Sequence, residues 1–231
     1  MKKIMLMALM SLMALGASAQ MLTSRTYTKT KRPTTWYVRA GASFNNVAGM
    51  SDAEYSEDGD ELSLGTKTGF VADFGFQKPI GKSGLYWGME LGLGNRGYSV
   101  NIKEDDIESK LSLLTWNLTY SPVTIGYKYS VTDNLKIDAH FGIFASYDFA
   151  HNLSAKAGGE KYDIDWDRFS SETSYTEFDA GIQLGIGVWY SRYNLDFTWQ
   201  RGFSELSYYS GNPSGATGRS SNLMLRLGIA F

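Results

Sequence analysis

The sequence predicts an all-β fold, an eight-stranded antiparallel up-and-down transmembrane β-barrel, on three observations. Eight segments alternate between apolar residues and polar or tiny ones, which is the pattern of strands with two different faces. Short turn-like connections alternate with long polar ones. Aromatic residues concentrate at both ends of the apolar faces. An even number of strands with short turns at one end and long loops at the other is typical of membrane barrels.

The first 19 residues have the features of a secretory signal peptide. Two lysines precede an apolar run over 4–15 and an Ala-Ser-Ala site at 17–19, an arrangement that signal peptides share. The run is too short to span a bilayer, and no later stretch has 18 consecutive apolar residues. We therefore predict a signal peptide over 1–19, a polar periplasmic tail over 20–34 and the barrel over 35–231.

Charge and cysteine content narrow the functions of the mature chain. Without the signal peptide it carries 20 basic and 24 acidic residues, a net charge of −4, which argues against nucleic acid as a partner. Cysteine is absent. Burial and hydrogen bonds alone must therefore hold a fold that a secreted protein often secures with disulfides.

Eight alternating segments are expected to form the wall of the barrel, in the order of the chain. They cover 35–47, 66–78, 85–95, 113–130, 135–150, 177–191, 194–203 and 222–231. In the fourth segment the apolar phase shifts at Pro122, which predicts a β-bulge because proline has no N–H for the ladder. The eighth segment, NLMLRLGIAF, is expected to pair with the first, so that no strand edge stays exposed in the membrane.

The connections between these segments alternate in length. Three are short and turn-like, over 80–84, 131–134 and 191–194. Four are long and polar, over 49–65, 96–112, 151–176 and 205–221. The chain therefore begins and ends at the short-turn end, which we expect to face the periplasm, with the long loops outside the cell.

Aromatic residues on the apolar face are expected to form two girdles around an aliphatic band, as on the outer wall of a membrane barrel. At the short-turn end they are Trp36, Phe76, Trp87, Tyr127, Tyr129, Tyr190 and Phe231. At the long-loop end they are Phe44, Trp116, Tyr147, Phe149, Phe178, Trp199 and Phe203. A soluble barrel with this face inside is disfavoured, since its aromatic side chains are too many and too bulky for a narrow lumen.

The opposite face is polar or tiny and is expected to fill the interior. Its predicted polar network consists of Arg39, Asp73, Glu90, Lys128, Lys136, Asp138, His140, Asp179, Gln183, Asp196 and Arg226. The cations and carboxylates of this set nearly balance, and buried charges are tolerated when they are paired. Glycines on the same face would make room for the long side chains in a narrow barrel. The pattern predicts a plugged lumen and disfavours a general diffusion pore.

A resemblance to a known family rests on three stretches: SPVTIGYKYSVTDNLKIDAHFGIFASYDFA at 121–150, FDAGIQLGIGVWY at 178–190, and the terminal Phe231. They resemble the small outer-membrane barrels of the porin or outer-membrane β-barrel family, akin to the OmpA transmembrane domain and OmpX. The resemblance covers about 36–231 and implies architecture, with no established transport role. It also implies that the barrel-assembly machinery reads the terminal aromatic, although Gly228 is not at that signal's usual glycine position.

Three motifs that carry chemistry in other proteins lack the context they need here. GLGNRG at 92–97 matches a dinucleotide fingerprint, but no helix is expected after it. The spaced acids at 163–167 lack the glycine and the final glutamate of a calcium loop, so an extended loop strand is expected. His140 is expected to be a hydrogen-bonded interior histidine. We predict no cofactor and no metal site.

His151 is the candidate for catalysis. It follows Asp148 and precedes Ser154 at the predicted long-loop rim, and some outer-membrane lipid-modifying enzymes use a histidine and a serine there. Spacing alone does not establish a triad. A lipid-modifying enzyme centred on His151 therefore stays an alternative, as does a narrow or gated channel for small solutes.

The first long loop carries six acids and no base: Asp52, Glu54, Glu57, Asp58, Asp60 and Glu61. Runs of like charge usually stay solvated, although such a loop could bind cationic partners or divalent ions that bridge lipid phosphates. Arg201, expected to face lipid near the outer rim, could meet the same phosphates.

Together the patterns predict a monomeric, non-enzymatic barrel with a plugged polar lumen. Its wall would contact outer-membrane lipid and lipopolysaccharide. We expect it to act in envelope structure or in surface interaction through its four long loops.

Overall fold

The structure, a computed structural model, describes residues 33–48, 54–55, 60–81, 83–104, 107–157, 160–166, 176–206 and 218–231. The predicted signal peptide and the predicted tail up to residue 32 lie outside the described residues. Within these ranges, no helix has the length and apolar character needed to cross a membrane.

Eight long strands form a closed antiparallel barrel, as predicted. The strands are, in chain order, β1 (Thr35–Ala48), β2 (Glu54–Tyr55), β3 (Asp60–Pro79), β4 (Leu85–Glu104), β5 (Ile107–Ser130), β6 (Leu135–Ala157), β7 (Glu160–Ile164), β8 (Phe178–Tyr190), β9 (Tyr193–Leu206) and β10 (Gly218–Ala230). The long strands pair in the order β1, β3, β4, β5, β6, β8, β9, β10, and β10 pairs with β1. The short strands β2 and β7 pair with β3 and β6.

The last strand closes the barrel against the first. Val38 lies opposite Ile229, and Phe44 lies opposite Leu223. The backbone N–H of Phe231 donates to the carbonyl oxygen of Trp36 at 2.9 Å. Along this seam the paired backbone groups leave no open strand edge toward the membrane. The end of the barrel that carries Phe231 is named the terminal end, and the opposite end is named the far end.

Side chains alternate between a polar interior and an apolar outer wall. On β10, Asn222 and Arg226 are buried, whereas Leu225 and Leu227 are exposed. The arginine is 1% exposed and the neighbouring Leu227 is 69% exposed. This polarity is the reverse of a soluble domain, and it fits a barrel surrounded by lipid.

The predicted girdle residues lie on the outer face, where they are exposed or half-buried. At the terminal end, Trp36 stacks on Phe74 with ring centroids 5.4 Å apart. Phe76 meets Trp87 edge-on, with centroids 5.3 Å apart. The aromatic rings of β1, β3 and β4 therefore form a continuous contact around this part of the rim.

The three predicted short turns lie at the terminal end, where they join β3 to β4, β5 to β6 and β8 to β9. The first turn uses Gly81 and Gly84 with φ angles of +65° and +97°. Glycine adopts this left-handed region without steric cost, so it suits a tight connection here.

The bulge predicted at Pro122 is present. The register between β5 and β6 shifts between Tyr120 and Val123. The shift lets the outward apolar series of β5 continue across the proline, with Ile125 exposed on the same wall as Trp116.

Several strands run further toward the far end than predicted. β4 continues to Glu104 and β5 begins at Ile107, so the predicted long loop over 96–112 is a hairpin and that expectation was wrong. β3 and β6 likewise extend into the predicted loops, and β7 adds a strand to β6. Apolar outward residues mark only the lipid-facing part of a strand. In water a strand keeps its backbone hydrogen bonds with polar residues outside.

The predicted acidic loop is described only in part. Glu54 lies in β2, and Asp60 and Glu61 begin β3. Asp52, Glu57 and Asp58 lie outside the described residues.

Candidate functional site

The candidate site is the polar interior, which forms three clusters along the barrel. A terminal plug contains Tyr86, Lys128, Asp138 and Trp189. A central cluster contains Arg39, Asp73, Glu90, Asp196 and Arg226. A far cluster contains Arg96, Ser146, Asp148 and Asp179.

Strand register brings the charges of the central cluster together. Arg226 on β10 lies directly opposite Asp196 on β9, and Arg39 on β1 lies directly opposite Asp73 on β3. Directly opposite residues share a face of the sheet. The alternation that turns one of these residues inward therefore turns its counter-charge inward as well.

The central cluster is a closed set of ion pairs. Arg226 Nη1 lies 2.7 Å from Asp73 Oδ2, and Arg226 Nη2 lies 2.5 Å from Asp196 Oδ1. Arg39 Nη1 lies 2.9 Å from Asp196 Oδ2, and its Nη2 donates to Glu90. Each carboxylate contacts at least one guanidinium group, so the cost of removing these charges from water is offset by pairing.

Neutral donors complete the central cluster. Tyr37 donates to Glu90 Oε1 at 2.6 Å. Thr198 donates to Asp196 Oδ1 at 2.8 Å and lies 3.2 Å from Nε2 of His140. His140 is buried in the interior, where a Cβ on Gly185 would lie 2.2 Å from its Nε2. The glycine therefore provides the space that the imidazole ring occupies.

The terminal plug places aromatic rings inside the barrel. Tyr86 and the Trp189 Nε1–H donate to Asp138, at 2.8 Å and 3.2 Å. The ammonium of Lys128 lies 3.8 Å from the centroid of a Trp189 ring, within cation–π distance. No aromatic ring was expected inside the lumen from the sequence, and glycines clear the space for these rings. A Cβ on Gly126 would lie 2.3 Å from the Tyr86 ring.

Replacing Tyr86 by phenylalanine is expected to lower the free energy of unfolding by about 1–3 kcal/mol, because buried Asp138 loses a donor. Urea unfolding in lipid vesicles, followed by tryptophan fluorescence, measures the change. Tyr129→Phe is the matched control, since Tyr129 is 61% exposed on the outer wall. Equal stability of the two variants would contradict a role for the Tyr86–Asp138 bond.

The far cluster is centred on Arg96, which the sequence reasoning missed. Arg96 Nε donates to Asp148 Oδ1 at 2.8 Å, and Nη1 donates to Asp179 Oδ2 at 3.0 Å. Ser146 accepts a further bond from Nη1 at 2.9 Å, and Ser220 donates to Asp179 at 2.6 Å. One guanidinium thus joins β4, β6 and β8 across the lumen.

The three clusters together describe a barrel whose interior is cross-braced by paired charges and whose wall is apolar. Residues 18–211 match the model of the outer membrane protein beta-barrel domain family. The chain belongs to this family. Its location is the bacterial outer membrane.

Solved structures similar to this outer-membrane barrel are outer-membrane proteins. Ail of Yersinia pestis is 12% identical, with 87% of this chain and 100% of Ail covered and a TM-score of 0.38. OprG of Pseudomonas aeruginosa is 12% identical, with 89% and 99% covered and a TM-score of 0.41. Neisserial surface protein A is 14% identical, with 87% and 100% covered and a TM-score of 0.38. No curated protein sequence matches.

The remaining predicted interior residues of the outer-membrane barrel lie in different places. Gln183 lies between the central and far clusters, where its Oε1 accepts from Gln200 at 3.0 Å and from Ser121 at 3.3 Å. Lys136 is exposed beside an open recess of about 650 Å³ at the terminal end. Its placement in a buried network was therefore wrong, because β6 begins at Leu135 and the barrel wall ends there.

The residues that the structure describes line two small cavities inside the outer-membrane barrel. One, of about 30 Å³, is lined in part by Asp73 and Arg96. The other, of about 20 Å³, lies beside Val47 and Leu113 near the far end. Since one water needs about 10–15 Å³ of such volume, the first cavity has room for about two or three waters and the second for about one or two.

Among the residues that the structure describes, His151 and Ser154 are not brought together. His151 lies opposite Thr115, and its ring stacks on Trp166 with centroids 3.9 Å apart. Ser154 lies opposite Ser112 three residues further along the same regular ladder. Because faces alternate along a strand, His151 and Ser154 point to opposite faces of β6.

The acids considered for calcium are placed in β7 and just after it. Asp163 pairs with Lys161 at 3.4 Å, and Asp167 lies outside the described residues. Within the described ranges, no group of three or more metal-ligating side chains is positioned around a common point.

Proposed function

We propose that this outer-membrane barrel is a non-enzymatic protein with a plugged lumen, which acts in envelope structure or surface interaction through its far-end hairpins. The observation that carries the proposal is the central cluster. Buried Arg226 connects β10 to carboxylates on β3 and β9, and buried Arg39 connects β1 to β4 and β9. These pairs span the interior from one wall to the next.

A solute crossing the barrel would have to separate these pairs. Removing one partner of a buried ion pair costs about 3–5 kcal/mol, because the other charge stays in the interior without compensation. The far cluster repeats the obstacle with Arg96, Asp148 and Asp179. The small volumes of the two cavities support the same interpretation.

The barrel has a proposed orientation in the membrane and proposed contacts with lipid. The terminal end faces the periplasm and the far-end hairpins face the outside, as short and long connections are distributed in membrane barrels. The barrel is a monomer whose apolar wall contacts lipid and lipopolysaccharide. Arg201, on the outer face of β9, donates to the Ala48 carbonyl at 3.4 Å and lies near lipid phosphates. The terminal Phe231 is read by the barrel-assembly machinery.

Planar-bilayer recording tests the plugged lumen. We expect no sustained single-channel steps from folded protein inserted in lipid. Heat-modifiable migration of the same sample on gels provides the control that the protein is folded. Reproducible steps of constant size from such a sample would favour the narrow-channel alternative.

A further inference from the structure

Three lysines stand side by side on neighbouring strands at the far end. Lys110 on β5 lies directly opposite Lys156 on β6, and Lys156 lies directly opposite Lys161 on β7. Directly opposite residues share one face of a sheet, and all three lysines are exposed. These three residues are named the lysine row.

The lysine row is poorly compensated by the rest of the chain. Like charges directly opposite each other destabilise a sheet. Lys161 pairs with Asp163 at 3.4 Å, whereas Lys110 and Lys156 have no ion pair among the residues that the structure describes. The row therefore concentrates positive charge at a free-energy cost to the folded sheet.

A fourth lysine lies in the field of the row. Lys67, on β3, is one residue beyond Thr68, which pairs with the girdle residue Phe44. The positive charges of Lys110 and Lys161 act on the ammonium of Lys67. Lys67 therefore adds a fourth positive charge close to the row.

The position of the row excludes the membrane head groups as its ligand. Lys110 is six residues beyond the girdle residue Trp116 along β5, which corresponds to about 20 Å along the strand. With a strand tilt of about 40°, the row stands about 15 Å above the girdle. Aromatic girdles lie at the level of the head groups. The row therefore lies above the lipid phosphates.

We propose that the lysine row binds a linear polyanion, a chain with repeated sulfate or phosphate groups that lies outside the membrane. Neighbouring strands are about 4.8 Å apart, so the row presents three ammonium groups over about 10 Å. A chain with repeated anionic groups can contact all three at once, and each later contact is intramolecular. The inference rests on the proposed orientation, because the row must face the outside.

The neighbouring row of directly opposite residues is also polar, which supports a polyanionic ligand. The next residues on the same face, toward the membrane, are Ser112 opposite Ser154, and Ser154 is opposite Asp163. Of these residues Ser112 is buried, Ser154 is half-buried, and the exposed carboxylate of Asp163 is paired with Lys161 at 3.4 Å, so none of them is a large apolar side chain. A hydrated polymer with sulfate or phosphate groups fits this surface better than an apolar partner does.

Binding of labelled dextran sulfate and of labelled inorganic polyphosphate to folded, full-length protein in phosphatidylcholine vesicles tests the proposal. The variant Lys110→Gln/Lys156→Gln/Lys161→Gln is expected to lose at least about tenfold in affinity at low salt, because it removes three cations that attract the anionic groups of the probe. Its affinity should also depend less on salt. The two probes distinguish sulfate from phosphate as the source of the anionic groups.

The matched control removes three exposed cations at the terminal end: Lys78→Gln/Lys136→Gln/Arg192→Gln. It changes net charge equally and leaves the row intact, so its affinity should stay within about twofold of the wild type. Equal affinity of the row variant and the wild type for both probes overturns the proposal. An equal loss in the control variant also overturns it, because net charge alone would then explain binding.

The chain's own acidic loop is the rival occupant of the row. If it held the row, wild-type protein would bind neither probe and Asp52→Asn/Glu57→Gln/Asp58→Asn would bind both, which would also overturn the proposal. Planar-bilayer recording tests the plugged lumen separately, since single-channel steps would show that the lumen is open. A conducting barrel whose row binds polyanions would contradict the proposed function and leave this inference standing.

Discussion

Arg226→Ala is expected to lower the free energy of unfolding by about 3–5 kcal/mol, which is a large fraction of the stability of a typical folded domain, about 5–15 kcal/mol. Arg226 is 1% exposed and is the ion-pair partner of Asp73 and Asp196. Its removal leaves Asp73 without a salt bridge and Asp196 with Arg39 alone. The measurement is reversible urea unfolding in lipid vesicles, followed by tryptophan fluorescence.

Two further variants make the Arg226 result interpretable. Lys136→Ala removes an exposed cation at the terminal end and should change stability by less than about 0.5 kcal/mol. Asp73→Asn alone and together with Arg226→Ala completes a double-mutant cycle, for which we expect a coupling energy of about 0.5–3 kcal/mol. A coupling energy of zero would mean that the Arg226–Asp73 pair does not stabilise the barrel.

The sequence predicts the central cluster well because the alternation of residues along each strand determines which side chains face inward. Arg39 and Arg226 fall on the polar face of the first and last strands, and the structure pairs those strands. Closure of the barrel then brings Arg39 beside Asp73 and Arg226 beside Asp196. Alternation alone leaves the atom-to-atom partners open, since Asp196 also pairs with Arg39 from two strands away.

Arg96 of the far cluster was missed from the sequence because each predicted strand ends where the apolar residues of its outer face end. Arg96 follows Asn95, the last residue of the predicted third segment, so the apolar pattern places it in a loop. The polar face of β4 in fact continues in steps of two from Glu90 to Arg96, and that of β6 continues from Asp138 to Asp148. Extending the polar alternation past the apolar one would have found Arg96, whereas Asp148 already lies on the polar face of the predicted segment over 135–150.

The inward aromatic rings were missed for a different reason. The prediction sorted residues by polarity, and Tyr37, Tyr86 and Trp189 occupy the polar face while being aromatic. Each has a hydrogen-bonding or cation–π partner inside, which allows an amphipathic ring to replace a charged side chain. Tyr37 is two residues from the inward-facing Arg39 on the same strand, so it must also face inward. Position along the strand therefore predicts the direction of a side chain better than residue type does.

Leu227→Arg is expected to destabilise the folded barrel by about 2–4 kcal/mol in a bilayer, because a cation on the lipid face costs most near the midplane. Leu227 lies midway along the outward series of β10 between Leu223 and Phe231, and it is 69% exposed. Unfolding in vesicles, compared with wild type in the same lipid, measures the cost.

Leu223→Arg is the matched control on the same strand and the same wall. Leu223 lies opposite the girdle residues Phe44 and Trp199, about 13 Å along the strand from Leu227. A cation at the level of a girdle can reach the head groups, so we expect a cost of about 0–1 kcal/mol there. A larger cost at 223 than at 227 would move the membrane toward the far end. The lysine row would then lie at the head groups and lose the height on which its proposed ligand depends.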